Sequence, residues 1–243
     1  MAIVERNAAG KATYRGINSC IALLPMFADR EVVTVEGLEG EGGALHPVQA
    51  AMVDNYGSQC GYCTPGFVMS LFEGYYRPDC KGPCDISDQL CGNLCRCTGY
   101  RPIRDAALDS LKERDAAARN PKAARPDTFG ERLKAPLSRP PVLDYEAAGE
   151  RFVRPTSLGD LFAALARHPE ARLISGATEI GVNVTKQFKS FPFLVSTDSV
   201  PELTAIARTD SAWRIGGAAT LTAIEESLGG EHPSFLKLSL IHI

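Results

Sequence analysis

Gln59-Cys60-Gly61-Tyr62-Cys63-Thr64-Pro65-Gly66 places two thiols with two residues between them, followed by a threonine that can cap a helix and a proline suited to its first position. Both sulfurs can therefore converge on one metal centre. A second pair stands in Gly92-Asn93-Leu94-Cys95-Arg96-Cys97-Thr98-Gly99-Tyr100, with a single residue between its thiols. On a helix those two side chains would diverge by about 200°. Cys95 and Cys97 therefore belong to a loop, bracketed by Gly92 and Gly99. Helices opening at Thr64 and after Tyr100 would turn positive dipole ends toward an anionic cluster of sulfide and thiolate. Spacing alone serves structural zinc and an iron-sulfur centre about equally.

Outward from that site, the cysteines are unevenly spread: of eight in 243 residues, seven lie between Cys60 and Cys97. Disulfide frameworks of that density belong to secreted chains under about 80 residues that follow a signal peptide. This chain is longer, and its N-terminus has no charged-then-apolar pattern, so metal ligation leads and a cytoplasmic location is expected. Cys80 and Cys84 flank a Lys81-Gly82-Pro83 turn and are expected as exposed thiols, whereas Cys91 is expected to pack as a small apolar side chain. A hydrophobic share of 44%, a charged share of 23% and a net charge of -3 describe an ordinary globular protein and argue against a nucleic-acid surface. No apolar run approaches the roughly 18 residues of a membrane span.

Four histidines, at 46, 168, 232 and 242, form no ligand spacing. His46 before Pro47 reads as a helix-opening residue, and Asp85 and Asp88 read as solvent-facing or capping groups. No catalytic base or nucleophile emerges.

The pattern along the chain is α+β and multidomain. Short β segments are expected over 12–15 and 31–36, the latter alternating apolar and polar residues. Helices follow with Val48, Ala51, Met52 and Tyr56 on one face, then Phe67, Val68, Leu71 and Phe72, then a short one over 86–90. The last of them follows Pro102, with Ile103, Ala106, Ala107 and Leu111 in register. From about 115 to 141 the sequence turns to Ala, Arg, Lys and Pro without an apolar period, which reads as a linker. Beyond it come a helix over 158–166 and strands over 171–174, 193–196 and 213–215. The turn Ser175-Gly176-Ala177-Thr178 exposes successive amides that could cradle phosphate, although G-x-G-x-x-G is missing.

The two cysteine segments, the second extended to Arg101-Pro102, resemble the helical [2Fe-2S] domain of the molybdenum hydroxylases. That resemblance implies a four-helix domain in which Cys60, Cys63, Cys95 and Cys97 ligate the cluster and Gln59 hydrogen-bonds the pterin of a molybdenum cofactor held by a large partner subunit. Ile17-Asn18-Ser19-Cys20-Ile21, with Val33-Thr34-Val35-Glu36-Gly37, is similar to the end of the family's plant-type ferredoxin domain, a β-grasp fold. Cys20 is then an orphan ligand of a second cluster, because no cysteine precedes it. Phe152-Val153-Arg154-Pro155, Ser175 to Ile180 and Ile215-Gly216-Gly217-Ala218-Ala219-Thr220-Leu221 resemble, in order, the opening motifs of the family's FAD-binding domain. By the same resemblance Ser175, Gly176, Ala177, Thr178, Glu179 and Ile180 surround the FAD pyrophosphate. Gly217, Ala218, Ala219 and Thr220 lie near the flavin.

The expected organisation is a ferredoxin-like remnant over 1–40, an all-α [2Fe-2S] domain over 41–115, a linker over 116–148 and a partial α+β FAD-binding domain over 149–243, with both ends of the chain cut short. The order implies an electron-transfer chain that passes electrons from the molybdenum partner through [2Fe-2S] and FAD to NAD. Arg96, beside two ligands, is expected to raise the cluster's potential if it faces the cluster.

Overall fold

A computed structural model describes residues 1–122 and 124–230. His232, His242 and the expected C-terminal break in the flavin domain lie outside the described residues. Two compact units emerge. The first comprises 1–5, 12–17 and 31–136, and the second 6–11, 18–30 and 137–243.

The first unit joins a small sheet to five α-helices among the described residues. Strands β1 (Ala2–Arg6), β2 (Ala12–Gly16) and β3 (Val32–Val33) lie in the order β2-β1-β3, with Ala2 opposite Val33 and Ile3 opposite Val32 in an antiparallel pair. The strand expected over 31–36 is thus limited to two residues. After Val33 the chain enters a 3-10 turn at Glu36–Leu38 that buries Leu38. Helices α1 (Pro47–Asp54), α2 (Thr64–Tyr76), α3 (Pro83–Gln89) and α4 (Arg101–Arg119) follow. On α4, Ile103, Ala106, Ala107, Ser110 and Leu111 are buried, spaced as one helical face requires. Helix α4 packs on α1 and α2, where Val48, Ala51, Met52, Phe67, Val68, Leu71 and Phe72 are buried as well.

His46 opens α1 as expected. Its Nδ1 accepts from Val48 N (3.3 Å), while its own amide donates to Gln49 Oε1 (3.0 Å). Because Nδ1 accepts, the neutral ring carries its proton on Nε2 and donates to Tyr76 Oη (3.0 Å), and Tyr76 donates in turn to Asp127 Oδ1 (2.7 Å). Asp127 caps α5 (Thr128–Arg132) by accepting from Gly130 N. Phe129 of that helix is buried against Tyr14, Phe72 and His46, and its carbonyl accepts from Tyr14 Oη (3.1 Å). Burying such a ring is worth about 2 kcal/mol. Part of the segment read as a linker is therefore core. One phenylalanine in a polar stretch creates no periodicity for sequence reading to find.

Two cysteines trade the surroundings expected of them. Cys80 is buried, with its sulfur near Gly74 and burial raising its pKa, because the turn after α2 folds inward beneath α3. Cys91 is exposed, and its thiol donates to Ser87 O. Cys84 is exposed as read. Asp85 caps α3 by accepting from Lys81 N and Gly82 N (both 2.9 Å).

The second unit is built on a four-stranded sheet ordered β4-β5-β7-β6, from β4 (Leu143–Ala147), β5 (Glu150–Arg154), β6 (Arg172–Ile174) and β7 (Phe193–Ser196). β4 runs antiparallel to β5, while β5, β7 and β6 are parallel and connected through α6 (Leu158–Arg167) and α7 (Thr178–Gln187). Parallel strands covered on both faces carry apolar residues in succession, and all four residues of β7 are buried. Phe152, Ile174 and Leu194 pack on Ala177 and Ile180 on one face; Val153, Phe193 and Val195 pack on Leu161 on the other. Helix α8 (Pro201–Thr204), strands β8 (Ile206–Arg208) and β9 (Trp213–Ile215) and helix α9 (Leu221–Leu228) complete the described part.

Residues 18–30 belong to this unit. Arg154, almost wholly buried, donates to Pro141 O, Ala28 O and Asp29 Oδ2, at 2.9–3.1 Å. A buried guanidinium is tolerable because its donors are met by two carbonyls and a carboxylate. The backbone of the 3-10 turn Ser19–Ile21 rests on α7 at Gly181, where a Cβ would stand 1.8 Å from Ile21 O.

Candidate functional site

The four motif cysteines come together at one end of the helical unit, and they do so as two pairs. The sulfur that acts most strongly on each thiol comes from the other loop, Cys97 for Cys60 and Cys95 for Cys63, with Cys95 acting on Cys60 and Cys97 as well. Among the described residues, no group of three or more His, Cys, Asp and Glu side chains is placed to hold a single metal ion. Two pairs of thiols suit a binuclear centre, in which each iron takes two protein thiolates. Structural zinc needs three or four ligands on one point. The donor set fits [2Fe-2S].

Local backbone conformation explains how a one-residue spacing delivers two sulfurs to the same place. Gly92 (φ 89°), Gly99 (φ 66°) and Tyr100 (φ 66°) are left-handed, as is Gly61 (φ 84°) between the first pair. Glycine reaches that region at no steric cost, so the loops turn sharply where an ordinary residue would resist. Within the second loop Cys95 N donates to Tyr100 Oη, Tyr100 N donates to Thr98 Oγ1 (both 3.1 Å), and Thr98 N donates to Cys95 Sγ (3.4 Å). Asn93 Nδ2 donates to Ser70 Oγ (2.8 Å) and Leu90 O, which ties the loop to α2. Tyr100 also meets Phe67 edge-on. Asn93, Thr98 and Tyr100 were not singled out from sequence as supports of the site. Their position between and beside the ligands is the signal that could have found them.

The thiols differ in their surroundings. The Thr98 hydroxyl and amide pull Cys95 down to about 7, assisted by the Cys97 amide. Burial, then Cys95, pushes Cys63 up to about 11. The Tyr62 amide and the Cys97 thiol lower Cys60, and the same partnership raises Cys97. Several amides thus already donate to sulfur, which favours the thiolate form that metal ligation needs. Tyr62 and Leu94 beside the loops are nearly bare, at 94% and 83% exposure. Gln59 and Arg96 are exposed as well. Cys20 is not part of this group; it lies exposed on the Ser19–Ile21 turn of the second unit.

In the second unit the turn from β6 to α7 contains Gly176 (φ 65°) and Ala177 (φ 55°), both left-handed. Ser175, Gly176, Thr178 and Glu179 are exposed, whereas Ala177 and Ile180 are buried in the core and could offer a ligand only backbone. The first-turn amides of α7 precede its first intrahelical bond, from Gly181 N to Ala177 O, so they are oriented to receive an anion. Near α9, Gly217 is exposed and Ala218 buried with its amide donating to Leu203 O; Ala219 N donates to Gly216 O. The Thr220 hydroxyl caps α9 by accepting from Ala223 N (3.1 Å). This donor arrangement fits a phosphate-bearing cofactor at the first turn.

A helical unit with four loop thiols and a parallel α+β unit with an anion-binding turn define an iron-sulfur flavoprotein. Residues 34–108 match the [2Fe-2S] binding domain, and residues 146–240 match the FAD binding domain in molybdopterin dehydrogenase. Xanthine dehydrogenase 2 of Arabidopsis thaliana is 31% identical over 258 residues, covering 86% of this chain and 19% of the relative. Xanthine dehydrogenase of Drosophila subobscura is 32% identical over 251 residues (90% and 19%), and aldehyde oxidase 2 of Cavia porcellus 30% over 261 residues (91% and 20%). The chain spans about a fifth of the length of these relatives. It carries the iron-sulfur and flavin domains of the molybdenum hydroxylase family, with [2Fe-2S] and FAD as its cofactors.

Proposed function

We propose that this chain is the electron-transfer part of a xanthine dehydrogenase. It takes electrons from a molybdenum cofactor on a separate large subunit and passes them through [2Fe-2S] to FAD and on to NAD in the cytoplasm. The observation that carries the proposal is the 2+2 pairing of Cys60 with Cys97 and Cys63 with Cys95, at loops whose neighbours Tyr62 and Leu94 are exposed. The cluster supplies one-electron chemistry when bound. The chain's own residues fix its ligands, donate amide hydrogen bonds to sulfur and keep the loops close to solvent, each of which sets a reduction potential.

Gln59, one residue before the first ligand and exposed, would hydrogen-bond the pterin of the partner. Substrate chemistry belongs to that partner, so the chain alone turns over no purine. The aldehyde oxidase likeness supports a second reading, a subunit of an aldehyde, carbon monoxide or aromatic acyl-coenzyme A enzyme with the same relay.

Anaerobically prepared protein should contain two irons per chain, absorb in the visible and bleach on reduction. Zinc without iron would replace this reading with a zinc-stabilised interaction module. Co-expression with a molybdenum-binding subunit and assay with xanthine against aldehydes, with NAD as acceptor, separates the two enzyme readings.

A further inference from the structure

The carboxyl ends of β6 and β7 lie side by side, with Ile174 opposite Ser196. Two turns leave the sheet there, 175–177 into α7 and 197–199 into α8. Thr197 binds them together, its amide (3.0 Å) and hydroxyl (3.1 Å) both donating to Ile174 O. In open parallel sheets this edge is where ligands bind. Asp198 then reaches across: its Oδ1 accepts from Gly176 N at 3.1 Å, inside the turn whose amides would face the flavin's phosphates. The backbone of Asp198 is fixed from its own side, since Asp198 N donates to Ser196 Oγ (3.3 Å). Next to it, the buried Ser199 hydroxyl has no hydrogen-bond partner within the described structure.

We propose that Asp198 is a built-in competitor of the flavin's phosphates: its carboxylate holds the Gly176 amide and must swing away before a pyrophosphate docks there. The inference rests on the flavin reading of this unit. An anion already seated on the amide shows that the turn accepts negative charge. Two anions cannot share it, because like charges at hydrogen-bond separation repel and one amide proton serves one acceptor well. Asp198 therefore lowers affinity for phosphate-bearing ligands while tying the turn after β6 to the turn after β7.

The test is calorimetric titration of the full chain, wild type and the Asp198→Asn and Asp198→Ala variants, with FAD, ADP and riboflavin. Thermal midpoints check that each variant folds, and Asn preserves shape while removing charge. Both variants should bind ADP and FAD more tightly by about fivefold, the factor that unit-charge repulsion at about 4 Å in water represents. Riboflavin, which has no phosphate, should bind all three alike. Equal or weaker ADP and FAD binding by both variants, with wild type binding FAD, overturns the role of Asp198 and leaves the flavin reading intact. If FAD binds none of the three, the flavin reading falls and this inference with it.

Discussion

Gly66 and Asn93 meet where the two cysteine loops converge: a Cβ on Gly66 would stand 2.7 Å from Asn93 Oδ1. Gly66 lies in the first turn of α2, three residues after Cys63, and Asn93 lies two residues before Cys95. The absence of a side chain at 66 lets the second loop settle on the helix that the first loop opens. Asn93 cannot easily retreat, since its Nδ2 is bonded to Ser70 Oγ and Leu90 O.

Gly66→Ala should therefore cost about 1–2 kcal/mol through overpacking and lower the iron content of purified protein, with Cys95 and Cys97 displaced from their partners. Iron per chain and chemical denaturation check both parts. Full iron loading with unchanged stability would show that the contact tolerates a methyl group.

Cys97→Ser should strip the cluster or leave it labile, while Cys84→Ser, which alters an exposed thiol on α3, should load normally. Iron analysis and visible absorption report the difference. Equal iron loss in both variants would mean that the ligand set is wrongly assigned.

His46 makes stability depend on pH. Burial, opposed in part by Asp127, lowers its pKa from 6.5 to about 4. The unfolded chain then binds the proton more readily between those values, so stability rises with pH across the window. The contribution is fully present above about 6.5, is lost as pH falls through about 4, and is worth about 3 kcal/mol. Wild type should lose that increment on acidification relative to His46→Asn, which keeps a helix-capping acceptor without the titration. Denaturation midpoints from pH 4 to 7 measure it, and parallel curves for the two proteins would refute the assignment.

Gly181→Ala should destabilise the second unit by more than about 2 kcal/mol. The atoms in the way are backbone, with Ile21 O at 1.8 Å and Ile21 C at 2.6 Å, and backbone cannot yield by changing rotamer. A thermal midpoint unchanged from wild type would remove Gly181 as the seat of the Ser19–Ile21 turn.

Much of the metal site was legible because its determinants are local. Thiol spacing, Gly92 and Gly99 around a loop, and Thr64-Pro65 at a helix start all act within a few residues of the ligands. The 2+2 pairing was not legible, since it joins Cys60 to Cys97 and Cys63 to Cys95 across more than thirty residues. Cys80 and Cys91 exchanged their expected environments because burial is decided by how α3 lies under α2, which no flanking residue records. The Asp198 contact depends on two strands separated in sequence being adjacent in the sheet, so the turn at Ser175 could be read alone only as a set of free amides. Phe129 and Asp127 were hidden for a related reason: their partners, Tyr14 and Tyr76, lie far away along the chain.

The alternation of the chain between its two units constrains inheritance. Residues 18–30, with Cys20 and the Asp29 partner of Arg154, belong to the flavin unit although residues 31–136 of the helical unit stand between them and the rest of it. A recombination event that moved only the later stretch into another gene would leave the Arg154 guanidinium without two of its three acceptors. A flavin unit cut off from residues 18–30 would hold a buried guanidinium with unmatched donors unless another segment supplied the two acceptors.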